Sequence, residues 1–103
     1  MYTTASVREI VKDVIRQYAA LRPSHGEIRL DVVVDETHDR YALLQVGWDR
    51  GRRVRGLLLY IVVADDKIYI EYDGMEQGIR EDLLDRGVAE DDIVFPYLSE
   101  AVA

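Results

Sequence analysis

The sequence predicts an α+β domain: a four-stranded antiparallel meander with one helix before it and one after it, in the order α-β-β-β-β-α. Three observations carry this. An apolar stripe with helical spacing opens the chain, four β-rich segments follow with only short turns between them, and a second capped, helix-like segment comes after the last strand. The 103 residues and 11.9 kDa suit one domain with one core, taken here as residues 1–103.

The first element is fixed by Ser6-Val7-Arg8-Glu9, which has the form of a capping box. Val7, Ile10, Val11, Val14, Ile15, Tyr18 and Leu21 recur at spacings of three and four, with Lys12, Asp13, Arg16 and Gln17 off the stripe. Pro23 sets the expected end near Leu21 or Arg22. From Glu27 to Asp35 the pattern changes to alternation: Ile28, Leu30, Val32 and Val34 on one face, Arg29, Asp31 and Val33 on the other. A polar turn over residues 35–40 leads into a hairpin whose arms are Tyr41 to Trp48 and Arg52 to Ala64, joined by Asp49-Arg50-Gly51. Asp65-Asp66 makes the next tight turn, and Lys67 to Tyr72 is the fourth strand, with Ile68, Ile70 and Tyr72 expected to face inward.

Asp73-Gly74-Met75-Glu76 is a second capping arrangement, with Asp73 as the expected N-cap of a helix that turns Ile79, Leu83 and Leu84 inward and ends at Gly87. Ala89-Glu90-Asp91-Asp92 reads as a solvated turn, and Ile93-Val94-Phe95 as a short apolar stretch before Pro96. The third strand is apolar on both faces, with Leu57, Leu59, Ile61 and Val63 on one and Leu58, Tyr60 and Val62 on the other. Two short helices cover one sheet face, so a homo-oligomer or the tail is an expected cover for the other.

Composition limits the function. The net charge is −7 and the pI near 4.7, which disfavours a free-standing DNA binder, because nucleic-acid affinity is driven by counterion release at clustered cations. The chain has no cysteine, which removes thiolate chemistry, disulfides and cysteine-ligated zinc, and is compatible with a reducing compartment. The longest apolar run, Leu57 to Ala64, is far short of the about 20 residues a membrane-spanning helix needs, and no secretory signal precedes the first helix, so a cytoplasmic location is expected.

Against the acidic background, Arg50, Arg52, Arg53 and Arg55 crowd the hairpin tip beside Trp48, the only tryptophan. Arginine offers bidentate contact to carboxylate or phosphate, and tryptophan with arginine dominates binding hot spots, so this tip is a candidate binding site together with acidic Asp73 and Glu76. The plain alternative is that the arginines are solvated and discourage strand-edge pairing, and that Trp48 packs at the core edge. Catalysis is not indicated. His25 and His38 sit in turns without metal-ligand spacing, Asp49 and Glu71-Tyr72-Asp73 lack the lysine of a nuclease core, and Gly47, Gly51 and Gly56 are too irregular for a phosphate loop. No metal or cofactor is expected.

The ordered segments resemble the XisI family, the controlling factors of fdxN element excision. The resemblance runs from Val7 to Val94. It rests on Tyr18-Ala19 before Arg22-Pro23-Ser24-His25-Gly26-Glu27-Ile28, on Asp39-Arg40-Tyr41 leading to Val46-Gly47-Trp48-Asp49, on Arg53-Val54-Arg55-Gly56, and on Asp66-Lys67-Ile68-Tyr69-Ile70 before Asp73-Gly74-Met75-Glu76-Gln77-Gly78-Ile79. Leu83-Leu84, Gly87-Val88 and Asp91-Asp92-Ile93-Val94 complete it. Family members usually carry histidine and threonine where this chain has Tyr72 and Met75, and a longer tail after the Ile-Val pair.

The resemblance implies an accessory, non-enzymatic role in site-specific DNA excision, exercised with a XisH-like nuclease-related partner or the recombinase. Two other modes stay open: direct DNA contact by the basic tip, and inhibition of the companion nuclease by an acidic face that mimics phosphate.

Overall fold

A computed structural model describes residues 4–20, 27–74 and 78–96. Helix α1 spans Thr4–Ala19, and strands β1 (Glu27–Asp35), β2 (Arg40–Asp49), β3 (Arg52–Ala64) and β4 (Lys67–Asp73) follow in the predicted order. Next come the short helix α2 (Arg80–Asp85), a 3-10 turn over Glu90–Asp92 and a two-residue strand β5 (Ile93–Val94). The sheet therefore has five strands in the order β1-β2-β3-β4-β5, not four. The first four form the antiparallel meander, but β5 lies parallel to β4, with Ile93 opposite Ile68 and Val94 opposite Tyr69. The expected all-antiparallel sheet is thus corrected to a mixed one: α2 acts as a crossover that returns the chain in the same direction, as a parallel neighbour requires.

The turns follow the residue chemistry. Arg50 and Gly51 have φ of 53° and 78°, and Asp65 and Asp66 have 54° and 62°, so both hairpins close through two left-handed central residues. That conformation matches the twist of the flanking strands. Gly47 is required for another reason: a Cβ there would sit 2.0 Å from the Glu27 carbonyl oxygen, so β1 approaches β2 too closely for any side chain.

α1 begins before the expected capping box, since Thr4 and Ala5 are already helical and Ser6 lies within the first turn. Its described end is Ala19; Leu21 and Arg22 lie outside the described residues. Val7, Val11, Val14 and Ile15 bury their side chains against Tyr41, Leu43, Leu59, Ile61, Val63, Ile68 and Ile70. Each such side chain contributes about 1.5–3 kcal/mol of burial. Lys12 lies off the apolar stripe, yet only 8% of it is accessible; it pairs with Glu36 in the turn between β1 and β2 and with Glu9 at 2.7 Å.

α2 also starts later than the sequence indicated. Its N-cap position is Ile79 without a side-chain cap, and Met75, Glu76 and Gln77 lie outside the described residues. Asp73 still acts on this junction: its carboxylate accepts from the Ile79 N–H at 3.0 Å. Ile79 and Leu83 are fully buried and Leu84 packs partly against them. At the other end Gly87 has φ of 93°, the Val88 N–H donates to Leu83 O at 3.1 Å, and the Gly87 N–H donates to Leu84 O at 2.9 Å. This is a Schellman motif, sealed by apolar contact between Val88 and Leu83.

Two bulges change which side chains face α1. On β3, Leu59 pairs with Leu43 but Leu57 pairs with Leu44, leaving Leu58 as the extra residue. On β4, Ile70 pairs with Ile61 and Tyr72 with Tyr60, leaving Glu71 as the extra residue. A bulge reverses the alternation beyond it. Leu57, grouped by alternation with Leu59, Ile61 and Val63, and Tyr72, expected inside, therefore lie on the face away from α1, while Leu58 packs partly against the core.

Candidate partner-binding surface

The register assigns the uncovered face residue by residue. Beside each other in successive rows are Val33, Ala42, Tyr60 and Tyr72; Asp31, Leu44 and Leu57; Arg29, Val46 and Arg55; and Glu27, Trp48 and Arg53. Val62, Tyr69 and Val94 continue the apolar surface at the opposite end from Trp48. Both described helices contribute to the single core on the other side. Trp48 is 49% accessible, Tyr72 and Val33 47% and Leu57 38%, values that place four large apolar side chains in solvent on one face. Contiguous apolar exposure of this kind marks an interaction surface.

The tip is more divided than the clustering of its arginines suggests. Arg53 lies directly across from Trp48, with its guanidinium carbon 5.4 Å from the ring centroid, a cation–π contact, and its Nη1 donates to Gly47 O at 3.5 Å. Arg55 is opposite Val46 on the same face, and Arg29 flanks Val46 from β1. Arg52 pairs with Asp49 and so points to the other face, and Arg50 occupies the turn itself. The structure thus brings together Trp48, Arg53 and Arg55, and separates Arg50 and Arg52 from them. Trp48 does not pack on the core edge as one reading held; it stands in solvent against Arg53.

Asp73 belongs elsewhere. It is half-buried at the end of β4 and holds the α2 junction, a structural task, while Glu76 lies outside the described residues. Near it the Tyr18 hydroxyl donates to the Asp82 carboxylate, with Gly78 O 3.3 Å from the same oxygen. Burial, with Asp82 adding to it, pushes the Tyr18 phenol up to about 12. The sequence gives no binding signal for Arg29 or Leu44, sets Tyr60 on the second apolar face of β3, and points Leu57 and Tyr72 elsewhere. Arg29 and Leu44 join Trp48 through the regular β1–β2 register, whereas the two bulges bring Leu57 and Tyr72 to the same face.

Among the described residues no group of three histidine, cysteine or carboxylate side chains has metal-holding geometry. His38 serves its turn: its Nδ1 is 2.9 Å from Asp35 Oδ2, and its backbone N–H donates to Asp35 Oδ1 at 3.2 Å. His25 is outside the described residues. No described helix is long and apolar enough to cross a membrane.

The family model described as XisI protein matches residues 1–103. No functionally curated protein matches the chain. Among solved structures, a XisI-like protein from Anabaena variabilis ATCC 29413 superposes with a TM-score of 0.81 at 24% identity, covering 90% of this chain and 85% of that one, a likeness of fold. The fdxN element excision controlling factor XisI from the same organism superposes with a TM-score of 0.72 at 28% identity, covering 90% of this chain and 91% of that one.

Proposed function

The chain belongs to the XisI family, and from that premise we propose that it is a non-enzymatic controlling factor of DNA element excision that acts by docking on a protein partner. The partner is a XisH-like nuclease-related protein or, failing that, the recombinase. One observation carries the reading: a sheet face on which exposed Trp48, Leu57 and Tyr72 stand beside Arg53 and Arg55, with no described helix over them. Binding hot spots combine a desolvated aromatic anchor with arginine, and this face offers both on rigid strands. The arginines favour a partner that presents carboxylates around an apolar centre.

Co-expression with a neighbouring XisH-like protein, followed by capture and mass determination, tests this reading. A stable complex lost in Trp48→Ala is the supporting result. Failure of two folded, soluble proteins to associate sinks it for that partner and moves the weight to the recombinase.

A second reading is direct contact with DNA, favoured by Arg29, Arg53 and Arg55 sharing one face with a tryptophan able to stack on a base. The net charge of −7 opposes it. Absence of duplex binding by the wild type at low salt eliminates this reading without any variant.

A further inference from the structure

β1 is the outermost strand, nine residues long and paired one to one with β2 without a bulge. Among the described residues nothing pairs with its other edge. The opposite edge of the sheet is only the two-residue β5. A long regular edge is a template for another strand unless its side chains reject one.

The side chains of β1 reject most pairings and fit one. On the face away from α1 the strand presents Glu27, Arg29, Asp31, Val33 and Asp35. Consider a second copy added antiparallel about a two-fold axis. Centred on Asp31, the pairing sets Asp31 against Asp31 and Glu27 against Asp35. Centred on Arg29, it sets arginine against arginine. Both are repulsive.

Centred on Leu30, the pairing sets Arg29 of each copy opposite Asp31 of the other. Within each strand Arg29 Nε already donates to Asp31 Oδ1 at 3.1 Å. The four groups then form a square in which every neighbour has opposite charge. On the helix face the same register sets Leu30 against Leu30 and Ile28 against Val32, all half-buried side chains, and Leu30 and Val32 already border the core. The paired segment, residues 27–33, lies wholly within the described strand. A pairing centred on Val32 would instead draw Arg29 to Asp35, but Asp35 already holds the ring and backbone N–H of His38.

We propose that two copies of this chain associate through β1 in the Leu30-centred register, joining two five-stranded sheets into one and leaving the Trp48 face open on both copies. The proposal does not rest on the partner-docking reading.

Charge reversal tests it. Arg29 and Asp31 side chains are 71% and 41% accessible, so their replacement leaves the core untouched. Light scattering at high micromolar concentration is expected to give twice 11.9 kDa, or 23.8 kDa, for the wild type. Arg29→Asp and Asp31→Arg each place two like-charge pairs in the dimer and should weaken it about tenfold or more, and the double swap should restore it. A wild type that remains at 11.9 kDa, or single variants that dimerise as the wild type does, overturns the proposal.

The absence of cysteine provides a second readout. Leu30→Cys places two thiols across the axis at about 4.5–5.5 Å between Cα atoms, within disulfide range. A crosslinked dimer through position 30 supports the register. Crosslinking through Val32→Cys and not through position 30 overturns it.

Discussion

Arg8 holds Asp39 with both arms of its guanidinium, Nε to Oδ1 at 2.8 Å and Nη2 to Oδ2 at 3.2 Å, and thereby ties α1 to the turn between β1 and β2. The Tyr41 hydroxyl donates to the same carboxylate at 2.9 Å. Asp39 has φ of 53°, and its carbonyl accepts from the Val63 N–H at 3.0 Å, so one residue joins helix, turn and β3. Asp39→Ala should destabilise the fold chiefly by leaving the hydroxyl of fully buried Tyr41 without its acceptor, a cost of about 1–3 kcal/mol. Asp39→Asn keeps an acceptor and tolerates the left-handed backbone, so it should lose less. Urea unfolding of both variants checks the order.

Titration should show two arms. Burial, reinforced by Asp39, pushes the Tyr41 phenol up to about 12, as burial does at Tyr18. A raised folded value means that the unfolded chain loses these protons first, from about pH 10. This stability is fully present below pH 10 and is lost as pH rises toward about 12. In acid, the hydrogen bonds from Arg8, Lys12 and His38 hold Asp39, Glu36 and Asp35 below their usual carboxylate values. Their contribution is present above the ordinary carboxylate range and is lost as pH falls through the depressed folded values. Thermal melts across pH should show a plateau between the arms. Tyr18→Phe should lessen the alkaline slope.

Gly47→Ala drives a Cβ into the Glu27 carbonyl and the Ile28 Cα, both backbone atoms that cannot yield without separating β1 from β2. A loss of about 2 kcal/mol or more is expected, with β1 amides exchanging fastest in hydrogen exchange. A stability within error of the wild type would contradict the register of this pair.

The two sheet faces should respond oppositely to truncation. Ile61→Ala removes a side chain wholly enclosed between sheet and α1 and should cost about 2–5 kcal/mol. Trp48→Ala removes a side chain half in solvent and should change stability by only about 0.5 kcal/mol, while weakening partner capture. Parallel denaturation curves and capture assays separate the effects.

The sequence disclosed the meander because alternation and turn chemistry are local: Glu27–Asp35 and Arg52–Ala64 match the observed strands to the residue. It did not disclose the side-chain faces beyond the bulges. Extra residues at Leu58 and Glu71 reverse the phase of an otherwise regular pattern, and apolar residues on both sides of β3 leave no polar marker of the switch. β5 escaped because two residues contain no period; only its placement beside Ile68 and Tyr69 makes it a strand. The binding candidates were legible in kind but not in grouping. Arg52 and Arg53 are sequence neighbours on opposite faces, whereas Trp48 and Arg53 meet only through pairing.

Trp48 is the only tryptophan, so incorporating 5-fluorotryptophan gives one fluorine resonance that an unlabelled XisH-like partner cannot obscure. Titrating that partner should shift and broaden the resonance and remove its sensitivity to heavy water as the indole leaves solvent. A complex that forms with the resonance unchanged would contradict the docking of a partner on this sheet face.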